Sequence, residues 1–438
     1  MAFPTIKTPF FYGWVIVACS LLAETAGSWS GLYALTVLLV PMSQDLHWTR
    51  GQLVGASTLA GVIGGFASPL FGRLIDKQGV RLTMAISAIV GGVTLTTLSA
   101  VSELWVYYLI FGVLLGITRP LTMMLGVATA LANWFIQKRG RVTAIASTGV
   151  PIAAFLGIPV TQFIVVNYGW RTAWIVLGIG MILLIAIPSG LFMRRRPEDM
   201  GLLPDGEAAA GKGQGAAKRG QQPRSRWGVY HSAVDWETRD ALRSRAFWVL
   251  ACALPVISLP APAMATSVVA FFQDKGLAPM AAAGAASSFA IGTLAARFIW
   301  GVVSEKLHIQ YTYFLITLVS VTGSIFVILS YNIQTAYAAI IYFGLFAGGV
   351  LQLQFQIWPD YFGRRNIGAI RAWASPIQTL GIAFGPLFAN VIFDVTGSYN
   401  QAFTIYAMTS LAGGLVMLLL GAPPQASEKH LLTGIAQR

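Results

Sequence analysis

Only 10% of this 438-residue chain is charged, against the roughly 25% usual in soluble domains. That shortage, with 56% hydrophobic residues and a mean hydropathy of +0.68, excludes an ordinary soluble protein. Cysteine is nearly missing: Cys19 and Cys252 both lie inside apolar runs, so neither a disulfide scaffold nor a paired metal motif is supported. The four histidines, His47, His231, His308 and His430, fall in loops or tails away from one another, which argues against a histidine metal centre. No metal or cofactor is expected. There is no Ser/His/Asp combination and no phosphate-cradling glycine loop, and half of the loops are too short to hold a catalytic domain, so an enzyme is not expected. Acidic residues are scarce as well, 16 against 29 Lys and Arg, for a net charge of +13. Those positive charges sit between apolar runs, as membrane topology requires, and nucleic acid is dropped as a partner for that reason.

What the chain has in abundance is long apolar segments. A hydrocarbon layer of ~30 Å needs about 20 helical residues, and such segments recur twelve times: 12–38, 51–72, 82–101, 106–131, 143–166, 172–193, 246–271, 280–303, 311–330, 334–358, 368–392 and 399–421. They lack the period-two alternation of barrel strands and are about twice the length such a strand needs. Lys7 followed by an apolar run from Phe11 has the look of a signal segment, but no small-residue cleavage site leads into a soluble domain, so this is read as the first span. Arg73, Lys77, Arg81, Lys138, Arg139, Arg141, Arg194, Arg195, Arg196, Lys306, Arg364 and Arg365 fall on one side, against Arg50, Arg171 and Lys275 on the other. The positive-inside bias therefore predicts both termini in the cytoplasm, in a multi-pass protein of the cell's inner membrane.

Between the sixth and seventh spans, residues 200–241 are rich in Gly, Ala, Gln, Lys and Arg and read as a cytoplasmic linker. It separates a first half, 1–199, from a second, 242–438. Each half repeats a loop pattern: Gly72-Arg-Leu-Ile-Asp76-Lys77 returns as Gly301-Val-Val-Ser-Glu305-Lys306, 229 residues later. A second pair, Asn133-Trp-Phe135 and Asp360-Tyr-Phe362, is offset by 227 residues, and each member precedes a basic cluster. The expected fold is an all-α membrane protein of twelve transmembrane helices in two pseudo-symmetric six-helix bundles. Two such halves suggest a transporter that rocks about a central site.

The loop Gly72-Arg-Leu-Ile-Asp76-Lys77-Gln-Gly79-Val-Arg81 resembles the Gly-x-x-x-Asp-Arg-x-Gly-x-Arg of the major facilitator superfamily. Within it, Gly13-Trp14 at the start of span one, the segment Asn133 to Gly149 and Gly169-Trp170-Arg171 before span six resemble the monocarboxylate porter and oxalate/formate antiporter group. The resemblance implies an arginine in span eight on the substrate carboxylate, four residues before the glycine of the repeated loop; Arg297 stands there, four before Gly301. Related porters often place an acid or amide one turn earlier, where this chain has Thr293. Span four lines the interior in this superfamily, which makes Arg119 a second positive contact, from the other half, opposite Arg297.

The residues themselves point to Arg297 independently. An arginine in the bilayer interior costs about 2.5–3.5 kcal/mol even on the lenient scale, so Arg297 should face a cavity or a partner. It reads either as an anion-binding fork or as a snorkelling or paired side chain. Arg119 is about fourteen residues from either polar flank of its span and too deep to snorkel. Its partner is substrate or Glu24, the one acid well inside any span. Glu24 in turn either carries a coupled proton or pairs with Arg119. Arg371 reads as a positive-inside anchor. Gln352 and Gln356 share a helix face and Gln354 does not; Gln352 is a candidate substrate contact. Trp29 and Tyr33, one turn apart in span one, are candidates for an apolar wall with one hydroxyl, while Tyr107 and Tyr108 read as interfacial belt residues. Gly72, Asp76, Lys77, Gly79, Arg81, Gly301, Glu305 and Lys306 are assigned to conformational control.

These readings converge on secondary transport of a small carboxylate, a monocarboxylate or short dicarboxylate, with protons as a candidate coupling ion and the lipid bilayer as surroundings. A monomer suffices, because each bundle pair carries a complete pathway. A multidrug exporter of cationic amphiphiles is the alternative, but it would favour acidic residues where this chain has two deep arginines and one glutamate. A membrane sensor would bind without flux.

Overall fold

A computed structural model describes residues 10–135, 138–203, 205, 236–363 and 367–420, and among them the chain is helical, with no strand. Hydrocarbon offers backbone groups no partner, so each spanning segment must close its own hydrogen bonds, and a helix does that within one segment. Among the described residues ten helical stretches are long and apolar enough to cross a membrane. One of them, Arg141–Phe192, runs for 52 residues, about 78 Å if straight, far more than one crossing. It breaks at Gly169, whose φ of +83° is one that a residue with a β-carbon resists. The stretch is therefore two crossings. Arg50–Gln78, 29 residues long and less apolar, brings the number to twelve.

We label the helices in chain order: α1 Gly13–Leu46, α2 Arg50–Gln78, α3 Val80–Thr97, α4 Leu104–Trp134, α5 and α6 the limbs of Arg141–Phe192 before and after Gly169, α7 Arg245–Asp274, α8 Pro279–Ser304, α9 Ile309–Leu329, α10 Ile333–Phe362, α11 Ile367–Thr396 and α12 Tyr399–Leu418. Their starts are written locally. Thr49 and Gln52 form a reciprocal capping box at α2, as Asn332 and Thr335 do at α10, and the Ser244 hydroxyl accepts from the Phe247 N–H at α7.

The chain divides into two compact units. Unit 1 is Met1–Lys218 with Val268–Ser287; unit 2 is Arg219–Ser267 with Ser288–Arg438. The end of α7 and the first residues of α8 thus go with unit 1. Of the linker expected at 200–241, residues 206–235 lie outside the described residues.

Within each unit, glycines let helices approach to backbone contact, the usual way to gain packing where lipid supplies no hydrophobic drive. In unit 1, Gly178 of α6 meets the Gly92 carbonyl of α3, and Gly116 of α4 lies against Ala60 of α2. In unit 2, Gly292 of α8 lies against the Ile341 carbonyl and Gly344 of α10. A β-carbon at Gly292 would fall on that carbonyl and 2.8 Å from the Gly344 Cα, and neither backbone can yield. We expect Gly292→Ala to lower the heat-inactivation temperature of the detergent-solubilised protein sharply, by the equivalent of about 1–3 kcal/mol or more. Gly180→Ala, whose nearest neighbour is a Trp29 ring carbon at 3.7 Å, should leave that temperature unchanged.

Four π-helical turns interrupt the helices of unit 1, at Trp29–Tyr33 in α1, Tyr108–Leu114 in α4, Ala153–Gly157 in α5 and Ile182–Ala186 in α6. Such turns recur at functional sites. The first of them faces the deep arginine of α4.

Candidate functional site

Unit 1 holds Arg119 at a weak point of α4. Pro120 follows it, lacking the N–H that would bond one turn back, and at Met123 the backbone leaves the helix with φ −115° and ψ −104°. Interrupted spanning helices are where transporters commonly build their sites. The Arg119 guanidinium lies flat along Gly31 in the π-turn of α1: a β-carbon there would sit 2.7 Å from Nε and 2.9 Å from Cζ. Gly27, Ser30 and Thr122 join Arg119 around a small cavity at this spot. Among the described residues the side chain makes no ion pair or hydrogen bond.

The same holds for Glu24, which is partly buried on α1. The Glu24–Arg119 pair, one of the two expected readings, is not formed. Seven residues separate Glu24 from Gly31, about 10 Å of helix, and the Arg119 side chain is drawn to the Gly31 end. The Trp29 indole Nε1–H donates to Thr161 Oγ1 of α5 at 2.7 Å and its ring packs on Gly157. Tyr33 is buried, 5% exposed, at the end of the π-turn.

Unit 2 holds Arg297. Thr293, Arg297 and Gly301 form one row along α8 at four-residue spacing, and the row runs beside α10. The Thr293 backbone lies against Gly348, and the Gln352 amide nitrogen is 3.3 Å from a β-carbon built on Gly301. Gln352 is thus on the α8-facing side, one helical turn from Arg297. Its Oε1 is buried without a hydrogen-bond partner among the described residues. Arg297 is partly buried and makes no ion pair or hydrogen bond among them. The Thr293 hydroxyl donates to the Ala290 carbonyl of its own helix at 2.9 Å. Gln354 turns the other way, as helical spacing requires, and donates to Gln378 Oε1 of α11 at 3.0 Å. Sequence reasoning missed Gln378; the available sign was an amide in an otherwise apolar run. Arg371 is partly buried near the start of α11.

Of the residues assigned to conformational control, Gly79 takes φ +84° between α2 and α3, with the Arg195 side chain 3.5 Å from where its β-carbon would be. The Arg81 Nε–H donates to the Gly190 carbonyl at 2.7 Å. Trp134 Nε1–H and Asn133 Nδ2–H donate to the Arg194 and Arg195 carbonyls at 3.1 and 3.2 Å, and Tyr12 OH donates to the Phe192 carbonyl at 2.8 Å. The bonds to Gly190 and Phe192 satisfy carbonyls that the helix end leaves unpaired and those to Arg194 and Arg195 hold the residues just after it, so two sequence motifs meet at the end of α6. Lys77 and Lys306 are exposed. Gly72 and Asp76 lie within α2, and the surroundings of Gly72 and the side chains of Asp76 and Glu305 are not among what is described.

At the other helix ends of unit 1, Arg171 stacks 4.2 Å over Trp170 and pairs with Asp45, an exposed contact of small energetic weight. Arg50 is 8% exposed and binds Asp274 in a fork, NH1 to Oδ2 at 2.5 Å and NH2 to Oδ1 at 2.8 Å. The sequence reading took Arg50 as a loop charge only. No cluster of metal-ligating side chains occurs among the described residues.

The comparisons agree with this architecture. The family profile described as Major Facilitator Superfamily matches residues 14–375 and 260–435. The chain is similar to rat Monocarboxylate transporter 2, 21% identical over 94% of this chain and 83% of the relative, and to rat Monocarboxylate transporter 13, 24% identical over 93% and 89%. Its fold is similar to that of a bacterial homologue of the human lysosomal transporter Spinster, solved inward-facing and unoccupied, with a TM-score of 0.67 at 13% identity, over 95% of this chain and 96% of that one. That family profile covers most of the sequence, and the chain belongs to the Major Facilitator Superfamily, a multi-pass membrane transporter and not an enzyme.

Proposed function

We propose that the protein carries small organic anions, monocarboxylates or short dicarboxylates, by alternating access. The observation that carries this reading is the state of its deep arginines: Arg119 and Arg297 both lie within spanning helices with no acidic partner among the described residues. A guanidinium in hydrocarbon without a counter-charge is costly, and a carboxylate substrate supplies that charge with bidentate geometry. Similarity to monocarboxylate transporters supports the same substrate class. In this reading Arg297 holds the carboxylate, Gln352 and Thr293 offer polar contacts beside it, and Arg119 provides a second positive contact. The loop charges support an inner-membrane protein with both termini in the cytoplasm, and we take a monomer to suffice because one chain supplies both halves.

The test is counterflow in proteoliposomes with labelled lactate, pyruvate, formate, oxalate and succinate, with and without a pH gradient. Exchange of one acid that survives collapse of the gradient would favour antiport. Accumulation that vanishes with the gradient would favour proton symport. No flux of any acid by folded protein would overturn the anion reading and favour amphiphile export.

Glu24 is the group we assign to proton coupling, since it is an acid in a spanning helix with no ion-pair partner among the described residues. Glu24→Gln is expected to leave exchange of the anion intact and to remove its dependence on the pH gradient. Unchanged gradient dependence would take Glu24 out of the coupling.

A further inference from the structure

We infer that Gly31 is a positioning residue for the anion site: it is the surface on which the Arg119 guanidinium is laid, and the π-turn of α1 is what presents it. The inference rests on the reading above that Arg119 meets the substrate.

The geometry is specific. Trp29 and Gly31 are two residues apart and so project to roughly opposite sides of α1. On one side the Trp29 ring is locked against α5, where its Nε1–H donates to Thr161 Oγ1 and Gly157 leaves no room for a side chain. Thr161 in turn donates to the Gly157 carbonyl at 2.8 Å. Just after Trp29, Ser30 donates its hydroxyl to the Ala26 carbonyl at 2.8 Å, within the stretch where the backbone widens. On the other side Gly31 is left facing α4. Three guanidinium atoms of Arg119, Nε, Cζ and NH2, lie 2.7–2.9 Å from the place a β-carbon would take. Any residue other than glycine must therefore displace the guanidinium itself. The contact needs no charge on α1 and makes no hydrogen bond through a Gly31 side chain, so the N–H donors of Arg119, which have no hydrogen-bond partner among the described residues, are left for an anion.

A side chain at residue 31 would move those donors, and transport depends on their placement. Gly31→Ala is expected to raise the uptake KM of the transported acid by no more than Arg119→Ala does, about tenfold for oxalate or succinate, the range of one charge-assisted hydrogen bond, and less for lactate or pyruvate. The maximal rate should change less than about twofold, because the residue orients a binding group and carries no moving part. The decisive measurement is a double-mutant cycle with Arg119→Ala. If Gly31 acts through Arg119, Gly31→Ala adds nothing to KM once the guanidinium is gone. Full additivity of the two changes would overturn the inference while leaving Arg119 in the site. An unchanged KM in Arg119→Ala, or no uptake of any of the five acids by the parent protein, would instead overturn the reading on which it rests, and the inference with it. Should Gly31→Ala alone not assemble, Gly31→Ala with Arg119→Ala must do so, since the clash is removed; failure of both would count against the contact.

Discussion

Arg297→Ala is expected to abolish uptake of the transported acid while membrane insertion and the detergent-solubilised yield stay at the parent level. The guanidinium is the group in unit 2 that we assign to the substrate carboxylate, and a bidentate, charge-assisted pair out of bulk water is worth more than a neutral hydrogen bond. Truncating one partner of such a pair typically costs about 2–5 kcal/mol. That is a loss of roughly 30- to several thousand-fold in kcat/KM. Alanine in a spanning helix is cheaper than arginine, so assembly should not suffer. Arg297→Lys keeps the charge but replaces a planar fork with a point donor, and it should retain a small fraction of the activity. Ordinary uptake by the alanine variant would remove Arg297 from the site.

The second large effect concerns Arg119. Arg119→Gln retains a polar side chain but removes the charge, and it is expected to discriminate between substrates. For oxalate or succinate KM should rise about tenfold or more, the scale of one lost charge-assisted contact; for lactate or pyruvate the rise should be much smaller. A doubly charged acid has a second carboxylate to lose by the change, and a singly charged acid already engages Arg297. Equal effects on the two classes, measured as KM ratios in the same proteoliposomes, would assign Arg119 a structural role. Because Arg119 has no ion-pair partner among the described residues, the substitution leaves no described carboxylate stranded, which makes the comparison clean.

The architecture and the deep arginines were legible from sequence for the same reason: charge is so scarce in this chain that each charged residue inside an apolar run stands out. Hydropathy finds the spans, and an arginine within one carries its own cost as an announcement. Contacts set by long-range packing were not legible. The scarcity of acids made Glu24 the natural partner for Arg119, yet axial position along α1 decided otherwise, and no composition argument gives that position. Gly31 carries no sign of its role, because the turn that aims it depends on a bond from Trp29 to Thr161, 132 residues away. The even spacing of Gln352, Gln354 and Gln356 did predict that adjacent members diverge, and they do, toward α8 and α11. The partner Gln378 needed the packing of two helices to be known. Asn133 and Trp134 were recognised as a repeated motif, but their service to the carbonyls at the end of α6 emerges only when the helices are assembled.

The Arg50–Asp274 fork bears on how the protein is made. Unit 1 includes Val268–Ser287, so a compact unit that begins with the first residues of the chain is not complete until residue 287 has left the ribosome. Chains emerge from the N-terminus and domains generally fold in that order, but here an early helix end must wait through the synthesis of six further spans for its carboxylate. During that interval the Asp274 carboxylate that binds Arg50 in the finished protein has not yet been made. A chain cut short just before Asp274 would deliver the first six spanning helices and nearly all of α7 to the membrane and still lack part of the unit that the first six belong to.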